Sequence, residues 1–255
     1  MIDRRELLAR ARERGLPLPM MEKDYVLGWA LYGLRKLPYL VFKGGTALAK
    51  VYFPEAWRLS EDLDVVTTAD QWSRAQAGVP AALTQAAKRS GIEFMIKNLH
   101  ANPGYLQFKV QYLGPLSRNW IKVDVTPEAP LARIALRSLS RTYSDYPSFR
   151  VRVECLEEIL SEKLRALLER KKVRDYYDVW RLSQMGAQPR RVIPLFRRKL
   201  EVRGIAWPGP YDFFPAHLEQ ALRGYWENEL GRLVHPVPDM RRVLSELRAS
   251  LRALV

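Results

Sequence analysis

The sequence Phe42-Lys43-Gly44-Gly45-Thr46 is followed, after a short segment, by Arg58-Leu59-Ser60-Glu61-Asp62-Leu63-Asp64-Val65-Val66. A glycine pair directly after apolar residues indicates the opening of a helix behind a short strand. In the second stretch, Asp62 and Asp64 alternate with apolar residues, which is the period of a strand. Alternate strand residues point to the same face, so the two aspartates are predicted to project together.

The paired aspartates predict a divalent metal site. Neighbouring carboxylates repel unless a positive charge lies between them, and Mg²⁺ typically takes one or two carboxylates together with substrate phosphates. Gly44 and Gly45 have no side chains, so the backbone there can approach a phosphate, and the helix N-terminus behind them offers free N–H groups. The two stretches together predict a site that binds a triphosphate and the metal bridging it.

This pair of motifs resembles the nucleotidyltransferase superfold of the DNA polymerase beta group, in which a hydrophobic residue, Gly, and Gly or Ser precede an Asp-x-Asp strand. The finer resemblance is to AbiEii/AbiGii-type toxin nucleotidyltransferases, in which Lys-Gly-Gly-Thr occurs with Arg-x-Ser-x-Asp-Leu-Asp. Both motifs stand unbroken here, at 43–46 and 58–64. The combination is far more specific than either half, because an isolated Asp-x-Asp or Gly-Gly is common. The resemblance extends from about Asp24 to the C-terminal helices.

Length and composition indicate a folded protein with one large or two small domains. The chain has 255 residues, of which 47% are hydrophobic and 27% charged. No N-terminal stretch is typical of a signal peptide, and no apolar run reaches about 18 residues, so we expect no membrane span and a cytoplasmic location. The single cysteine, Cys155, cannot form an internal disulfide and fits a reducing compartment. The three histidines lack zinc-ligand spacing.

The charge balance is strongly basic. The formal net charge is +14, and such a surface attracts polyanions and accelerates their arrival. Beside a predicted nucleotide site, this charge favours contact with RNA or DNA. An acidic protein partner, such as a neutralising antitoxin, would exploit the same field, and the remaining alternative is that the excess arginine only solubilises the protein.

Hydrophobic periodicity predicts an α+β (mixed α/β) architecture. We expect a nucleotidyltransferase core with N-terminal helices at 1–155, built on a small mixed sheet flanked by helices, and a helical domain at 156–255 that contributes to the active-site cleft. The strands predicted are Tyr39–Phe42, Leu63–Thr67, Ile92–Lys97, Tyr105–Tyr112, Trp120–Val125 and Val151–Val153. The helices predicted are Ile2–Arg14, Met20–Leu37, Thr46–Tyr52, Asp70–Ser90 with Asp70 as a cap, Leu156–Lys171, Val173–Met185, Val192–Glu201, Tyr211–Glu227 and Asp239–Val255.

A third acidic candidate, Asp124, lies on the alternating segment Ile121–Val125. Nucleotidyltransferases of this superfold commonly use a third carboxylate from a neighbouring strand, which can hold a second metal ion or deprotonate the attacking hydroxyl. Lys122 shares one strand face with Asp124, matches a Lys-x-Asp pattern of the related toxins, and could offset negative charge near the phosphates. The alternative is an exposed pair of opposite charges on a half-buried sheet.

The helical part carries a second portion of the resemblance. The toxin family shows a Glu-Lys-Leu helix followed by an Arg-Asp-x-x-Asp helix, and its third and fourth motifs, which contribute a lysine and an aspartate to the active site, align with Lys163 and Asp175. A flexible lysine suits a triphosphate, and Asp175 could orient that lysine or act as the base. Asp178 lies three residues on, nearly on the same helix face. The alternative is a charged, solvated helix pair.

Four further residues are candidates for contact with the nucleotide. Lys43 could neutralise phosphate charge, and Thr46 is expected to help the two glycines cradle the β- and γ-phosphates. Arg58 could contact a phosphate or only brace the loop. Ser60 could bond the nucleotide or cap the chain locally.

The leading hypothesis is a Mg²⁺-dependent nucleotidyltransferase, with one or two metal ions held by Asp62, Asp64 and Asp124, that moves a nucleoside monophosphate from an NTP to an RNA hydroxyl. The resemblance implies tRNA, at its acceptor end, as the substrate, inhibition of translation as the outcome, and an antitoxin as partner. One rival is transfer to a small antibiotic-type molecule, which the net positive charge disfavours for cationic drugs. The other is a basic binding protein with an inactive nucleotidyltransferase fold.

Overall fold

The structure is a computed structural model that describes residues 1–185, 188–206 and 209–254. It has the mixed α/β composition that the sequence predicts, with a seven-stranded sheet and helices before, among and after the strands. The chain forms two compact units, Met1–Glu154 and Cys155–Val255, of which Val255 lies outside the described residues. In the part of the chain described, every helix is too short or too polar to span a membrane.

The first unit contains all seven strands of the sheet. Its strands are β1 (Val41–Lys43), β2 (Asp62–Val66), β3 (Glu93–Asn102), β4 (Tyr105–Leu113), β5 (Arg118–Thr126), β6 (Ala135–Ser138) and β7 (Arg150–Val153). Its helices are α1 (Arg4–Arg14), α2 (Leu18–Leu34), α3 (Gly44–Ala47) and α4 (Trp72–Ser90), with a π-helical turn at Leu48–Tyr52 and a 3₁₀ turn at Ala69–Gln71.

The strand order across the sheet is β3-β4-β5-β2-β1-β7-β6. The pairs β2–β5 and β1–β7 are parallel, and the other four neighbouring pairs are antiparallel. A parallel pair requires a crossover connection, and here α4, β3 and β4 lie between β2 and β5 in the chain. The glycine motif at the end of β1 and the aspartates of β2 are therefore central in the sheet.

One face of the central strands is apolar and buried. Along β4 and β5, buried residues alternate with exposed or partly exposed ones, as a sheet covered on one side requires. Helix α2 packs against β2 and β5, and α4 packs against β3. The side chains that form this buried face include Leu63, Val65, Leu106, Phe108, Val110, Ile121, Val123 and Val125. The opposite face carries the polar candidates of the sequence analysis.

A buried ion pair joins α2 to the π-helical turn that follows the glycine motif. Lys50 Nζ lies 3.0 Å from Asp24 Oδ1, and the lysine side chain is only 4% exposed. The Tyr143 hydroxyl donates to Asp24 Oδ2 at 2.9 Å, and the rings of Tyr143 and Tyr146 lie 6.0 and 5.9 Å from Nζ. Burial lowers the pKa of Lys50, while the neighbouring Asp24 carboxylate acts in the opposite direction. The pair fixes the chain just after Gly44–Ala47.

The second unit is helical. Its helices are α5 (Leu156–Glu169), α6 (Val173–Gln184), α7 (Pro189–Val202), α8 (Leu218–Leu230) and α9 (Met240–Leu254). Helix α5 packs against α6 and α7, and α6 packs against α8 and α9. Apolar residues at helical spacing are buried along α5, namely Ile159, Leu160, Leu164 and Leu167.

Four details of the sequence prediction were wrong. Asp70 does not cap α4, because it lies inside the 3₁₀ turn that precedes the helix. Strand β3 continues five residues beyond Lys97, to Asn102, because its exposed polar end still pairs with β4. Strand β6 was not predicted. The helix expected from Tyr211 begins only at Leu218, since Pro215 interrupts it and disfavours helical backbone at the residue before it.

Candidate active site

The sheet register brings the candidates from three strands together. Asp64 lies opposite Lys43 across the antiparallel β1–β2 pair and opposite Asp124 across the parallel β2–β5 pair. Asp62 lies opposite Lys122 in the same parallel pair. Neighbouring strands are about 4.8 Å apart, so a basic residue and two carboxylates form one row across the sheet. Asp62 and Asp64 also share a strand face, as their spacing predicts.

Two residues that the sequence analysis did not identify hold Asp124 in position. The Tyr105 hydroxyl donates to Asp124 Oδ1 at 2.9 Å, and Gln107 Nε2 donates to the same oxygen at 3.0 Å. Gln107 Nε2 also contacts the Tyr105 hydroxyl at 2.5 Å. Both donors bind the same carboxylate oxygen, so the side chains of β4 fix the position of Asp124.

The protonation of Tyr105 depends on the same carboxylates. Burial, followed by the negative charge of Asp124 and its hydrogen bond, raises the pKa of Tyr105 above its usual range, and the more distant Asp64 acts in the same direction. The hydroxyl therefore stays protonated at neutral pH and remains a hydrogen-bond donor. Its role in the ground state is to orient Asp124.

The glycine pair is required by the side chains that pack against it. Gly44 has φ = +75°, and a Cβ atom there would lie 2.4 Å from Asp64 Oδ2. A Cβ atom at Gly45 would lie 2.9 Å from a guanidinium nitrogen of Arg58 and 3.4 Å from Ser60 Oγ. Distances under 3.0 Å are not tolerated without displacement. The absence of both side chains thus leaves room for the β2 carboxylate and for the arginine before it.

The polar side chains around this motif are engaged with the protein itself. Thr46 is fully buried, and its hydroxyl donates to the Asp62 carbonyl oxygen at 2.5 Å, which ties α3 to β2. Arg58 is only 2% exposed and donates to the Leu59 carbonyl oxygen at 2.9 Å. Ser60 is also buried, next to Gly45. These contacts favour the bracing alternative for Arg58; direct contacts of Arg58, Ser60 and Thr46 with a nucleotide stay predictions.

Substitution of Gly44 by alanine should disrupt the carboxylate row. The methyl group would meet Asp64 Oδ2 at 2.4 Å on a backbone with positive φ, so we expect nucleotidyl transfer to fall about tenfold or more. Gly91→Ala is the matched control, because Gly91 has φ = +76° but its Cβ would lie 3.8 Å from the nearest atom, Met1 Cβ. Both variants should lose about 1 kcal/mol of unfolding free energy through backbone strain. Equal activity of the two variants would contradict the steric argument.

The donor set fits magnesium. Among the described residues, no group of three or more His, Cys, Asp and Glu side chains lies close enough to form a metal cluster. Mg²⁺ does not need such a cluster, because it commonly binds one or two carboxylates and completes its shell with water and substrate phosphates. Asp62 and Asp64 supply two oxygen donors on one strand face, beside the Asp124 carboxylate. These residues would hold the ion together with the phosphates of an NTP.

In the second unit, Lys163 lies between two buried aspartates. Its Nζ is 2.9 Å from Asp175 Oδ1 and 2.9 Å from Asp178 Oδ2. Arg170 Nε also lies 2.9 Å from Asp175 Oδ2, so both oxygens of Asp175 contact cations. Helices α5 and α6 position these groups, since Lys163 is on the first and the aspartates are on the second. The two aspartates are buried, whereas the Arg170 side chain is 57% exposed, so only the lysine and aspartate part of the cluster departs from the solvated helix pair of the alternative hypothesis.

The charge state of Asp175 bears on its chemistry. Burial alone would raise the pKa of Asp175, but the charges and hydrogen bonds of Lys163 and Arg170 lower it below its usual range. A carboxylate with a lowered pKa and both oxygens occupied accepts a proton poorly. The contacts of Asp175 are those of a residue that orients a lysine.

Comparison with known proteins shows the family to which this chain belongs. A family model described as "Nucleotidyl transferase AbiEii toxin, Type IV TA system", where TA denotes toxin–antitoxin, matches residues 29–253. The chain belongs to the AbiEii family. It is therefore a nucleotidyltransferase of a toxin family, and the resemblance found in the two sequence motifs is confirmed. AbiEii membership implies an NTP substrate and an antitoxin.

Solved structures share the fold of this AbiEii protein. The nucleotidyltransferase toxin MenT4 from Mycobacterium tuberculosis H37Rv superposes with a TM-score of 0.74 at 19% identity, covering 100% of this chain and 90% of that one. JHP933 from Helicobacter pylori superposes with a TM-score of 0.64 at 18% identity, covering 94% of this chain and 93% of that one. At these identities the likeness shows the fold alone. A search of curated protein sequences finds no match.

Proposed function

We propose that this AbiEii-family protein is a Mg²⁺-dependent toxin that transfers a nucleoside monophosphate from an NTP to an RNA hydroxyl, at the acceptor end of tRNA, and thereby blocks translation in the cytoplasm. The observation that carries the proposal is the row formed by Lys43, Asp64 and Asp124 across three adjacent strands. In this proposal the row would supply a base, a metal-binding carboxylate and a cation to one phosphate group. The family itself supports the transfer and the toxin role.

The proposed reaction is an in-line displacement at the α-phosphorus of the NTP. The RNA hydroxyl oxygen forms the new O–P bond, the bond between the α-phosphorus and the bridging oxygen breaks, and pyrophosphate leaves with that electron pair. We assign the base to Asp124, whose Oδ1 is fixed by Tyr105 and Gln107 while Oδ2 receives the hydroxyl proton. Between the two bases left open by the sequence, the lowered pKa of Asp175 favours Asp124.

The remaining residues bind and orient the triphosphate. Asp62 and Asp64 would hold Mg²⁺, which when bound neutralises phosphate charge and the charge that develops on the leaving pyrophosphate. The backbone of Gly44 and Gly45 would approach the β- and γ-phosphates beside Lys43, and Lys122 would offset negative charge where the phosphates of the acceptor reach the site. Within the second unit Asp175 would orient Lys163, whose contact with the nucleotide stays a prediction. Most of the catalysis would come from positioning and electrostatics.

The acceptor is assigned from charge. The net charge of +14 favours a polyanionic acceptor over a cationic small molecule, because the latter would be repelled. Nucleic acid binding is dominated by phosphate contacts with Lys and Arg. RNA therefore fits this protein better than an aminoglycoside-type acceptor does.

The test is transfer of label from each of four α-labelled NTPs into total cellular RNA in the presence of Mg²⁺. We expect one NTP to label a tRNA-sized band, and we expect EDTA and the Asp62→Ala/Asp64→Ala double variant to remove it. Label on a cationic small molecule but not on RNA would move the assignment to a small-molecule enzyme. No transfer with any NTP, from folded protein that NTP and Mg²⁺ do not stabilise thermally, would indicate an inactive binding protein.

A further inference from the structure

A second polar surface extends from the carboxylate row along β3, β4 and β5. Two residues along the strands from Asp124 and its partner Gln107, the register places Lys109 opposite Lys122 and Asn98 opposite Lys109. Two residues further along, Gln111 lies opposite Trp120. These residues share the sheet face of Asp124, because they are an even number of positions from it or from its partners. We call this surface the open face and define it as Asn98, His100, Gln107, Lys109, Gln111, Trp120 and Lys122.

The two lysines of the open face form an unusual pair. Lys109 and Lys122 are directly opposite each other across an antiparallel ladder, and both are exposed. Like charges in directly opposed positions destabilise a sheet; on its other side Lys122 lies opposite Asp62, and the Lys109 ammonium lies over the Trp120 ring. An anion placed over the pair would relieve the repulsion and contact both charges. Phosphate groups of a nucleic acid meet this requirement.

An aromatic ring lies beside these charges. Trp120 is partly exposed, and the Lys109 Nζ lies 4.6 Å from the centroid of its ring. Aromatic side chains on an exposed sheet surface, next to basic residues, are the usual stacking platform for unpaired bases. A base pair inside a duplex presents no free face for such stacking. The ring therefore favours a single strand over a double helix.

The platform is continuous with the proposed catalytic row. Trp120, Lys122 and Asp124 are successive residues of one face of β5, so Trp120 and Asp124 are about 13 Å apart along the strand. That distance is spanned by a few nucleotides. A strand stacked on Trp120, with its phosphates on the two lysines, would place its terminal hydroxyl near Asp124.

We propose that the open face binds a single-stranded 3′ end of RNA and guides it to Asp124, with Lys109 and Lys122 on phosphates and Trp120 stacked on a base. This inference rests on the proposed function, because it assigns the path of the acceptor in that reaction. The two lysines favour a polyanion by charge, and the tryptophan ring favours one that carries planar groups. An acidic protein could use the lysines but has no need of the partly exposed indole ring.

The experiment measures binding of a short fluorescent single-stranded RNA with a free 3′ hydroxyl by anisotropy, without NTP, and in parallel the KM for RNA in the transfer assay. Trp120→Leu should weaken binding and raise KM at least about fivefold, as loss of one stacked base does. Trp120→Phe should restore most of the affinity, because the aromatic face is retained. Lys109→Ala should reduce the slope of log K against log salt concentration by about 0.7, the value for one phosphate contact on a single strand.

Lys88→Ala is the matched control, since Lys88 is an exposed lysine of the same unit on α4. It should change neither the affinity nor the salt slope. Unchanged RNA binding in both Trp120→Leu and Lys109→Ala, with transfer intact, would overturn the inference and assign the surface to another partner, such as an acidic protein. Transfer to RNA that is absent in the wild type, with binding still dependent on Trp120, would instead overturn the proposed function and leave the binding surface standing.

Discussion

Replacing Asp64 by alanine should abolish nucleotidyl transfer, with a loss of about a thousandfold or more, comparable to removal of a main electrostatic group from an active site. Asp64 occupies the centre of the row, opposite both Lys43 and Asp124, and its Oδ2 fills the space above Gly44. The variant loses one of the two carboxylates that would hold the metal. The measurement is the initial rate of label transfer to RNA at saturating NTP and Mg²⁺.

The control for charge is Asp70→Ala, because Asp70 is exposed in the 3₁₀ turn after β2 and lies outside the site. It removes the same charge and should leave the rate within about twofold of wild type. The Asp64→Ala protein should still unfold cooperatively. A variant that keeps more than about a tenth of the wild-type rate would refute the metal-binding assignment of Asp64.

Replacing Lys50 by methionine should destabilise the first unit by about 3–5 kcal/mol, the usual effect of removing one partner of a buried ion pair. Asp24 would remain buried without its cation, with the Tyr143 hydroxyl still donating to Oδ2. The methionine fills most of the lysine volume, so lost charge rather than a cavity causes the effect. The measurement is the free energy of unfolding from guanidinium titration followed by circular dichroism.

A double variant separates the charge from the packing. Adding Asp24→Asn to Lys50→Met removes the uncompensated carboxylate and keeps an acceptor for Tyr143, so it should recover about half of the loss or more. Lys88→Met, at an exposed position of α4, should stay within about 0.5 kcal/mol of wild type. No recovery in the double variant would mean that Lys50 acts through its contacts with the tyrosine rings.

Much of the fold could be predicted because local patterns and tertiary packing agree. Strands β4 and β5 alternate strictly, and their apolar residues, such as Val110 and Val123, are those buried against the helices. Strand β6 escaped prediction because Ala135–Ser138 has no buried alternating face and is defined only by its pairing with β7. Pairing between distant segments leaves no periodic trace in a single sequence.

The site also contains some residues that local sequence patterns reveal and others that depend on tertiary contacts. Asp62, Asp64 and Asp124 could be selected because acidic residues on apolar strands are conspicuous. Tyr105 and Gln107 were not selected, because their role depends on the β4–β5 register. A signal was present: the short turn after Leu113 implies a hairpin, and extending that pairing along both strands places Gln107 opposite Asp124. No sequence pattern predicts the internal hydrogen bonds of Thr46 and Arg58, because those bonds depend on how the side chains pack.

The parallel pairing of β2 with β5 has a consequence for the order of folding. Asp64 and its neighbour Asp124 are separated by 60 residues of chain, whereas β3 and β4 meet through a hairpin at Gly104. Contacts between distant residues form slowly because the loop must first be closed, while hairpins form early. We therefore expect the carboxylates to meet among the last events of folding. A nascent chain that has not yet released β5 from the ribosome cannot assemble the row, so catalytic competence cannot arise before about the first half of the chain has been synthesised.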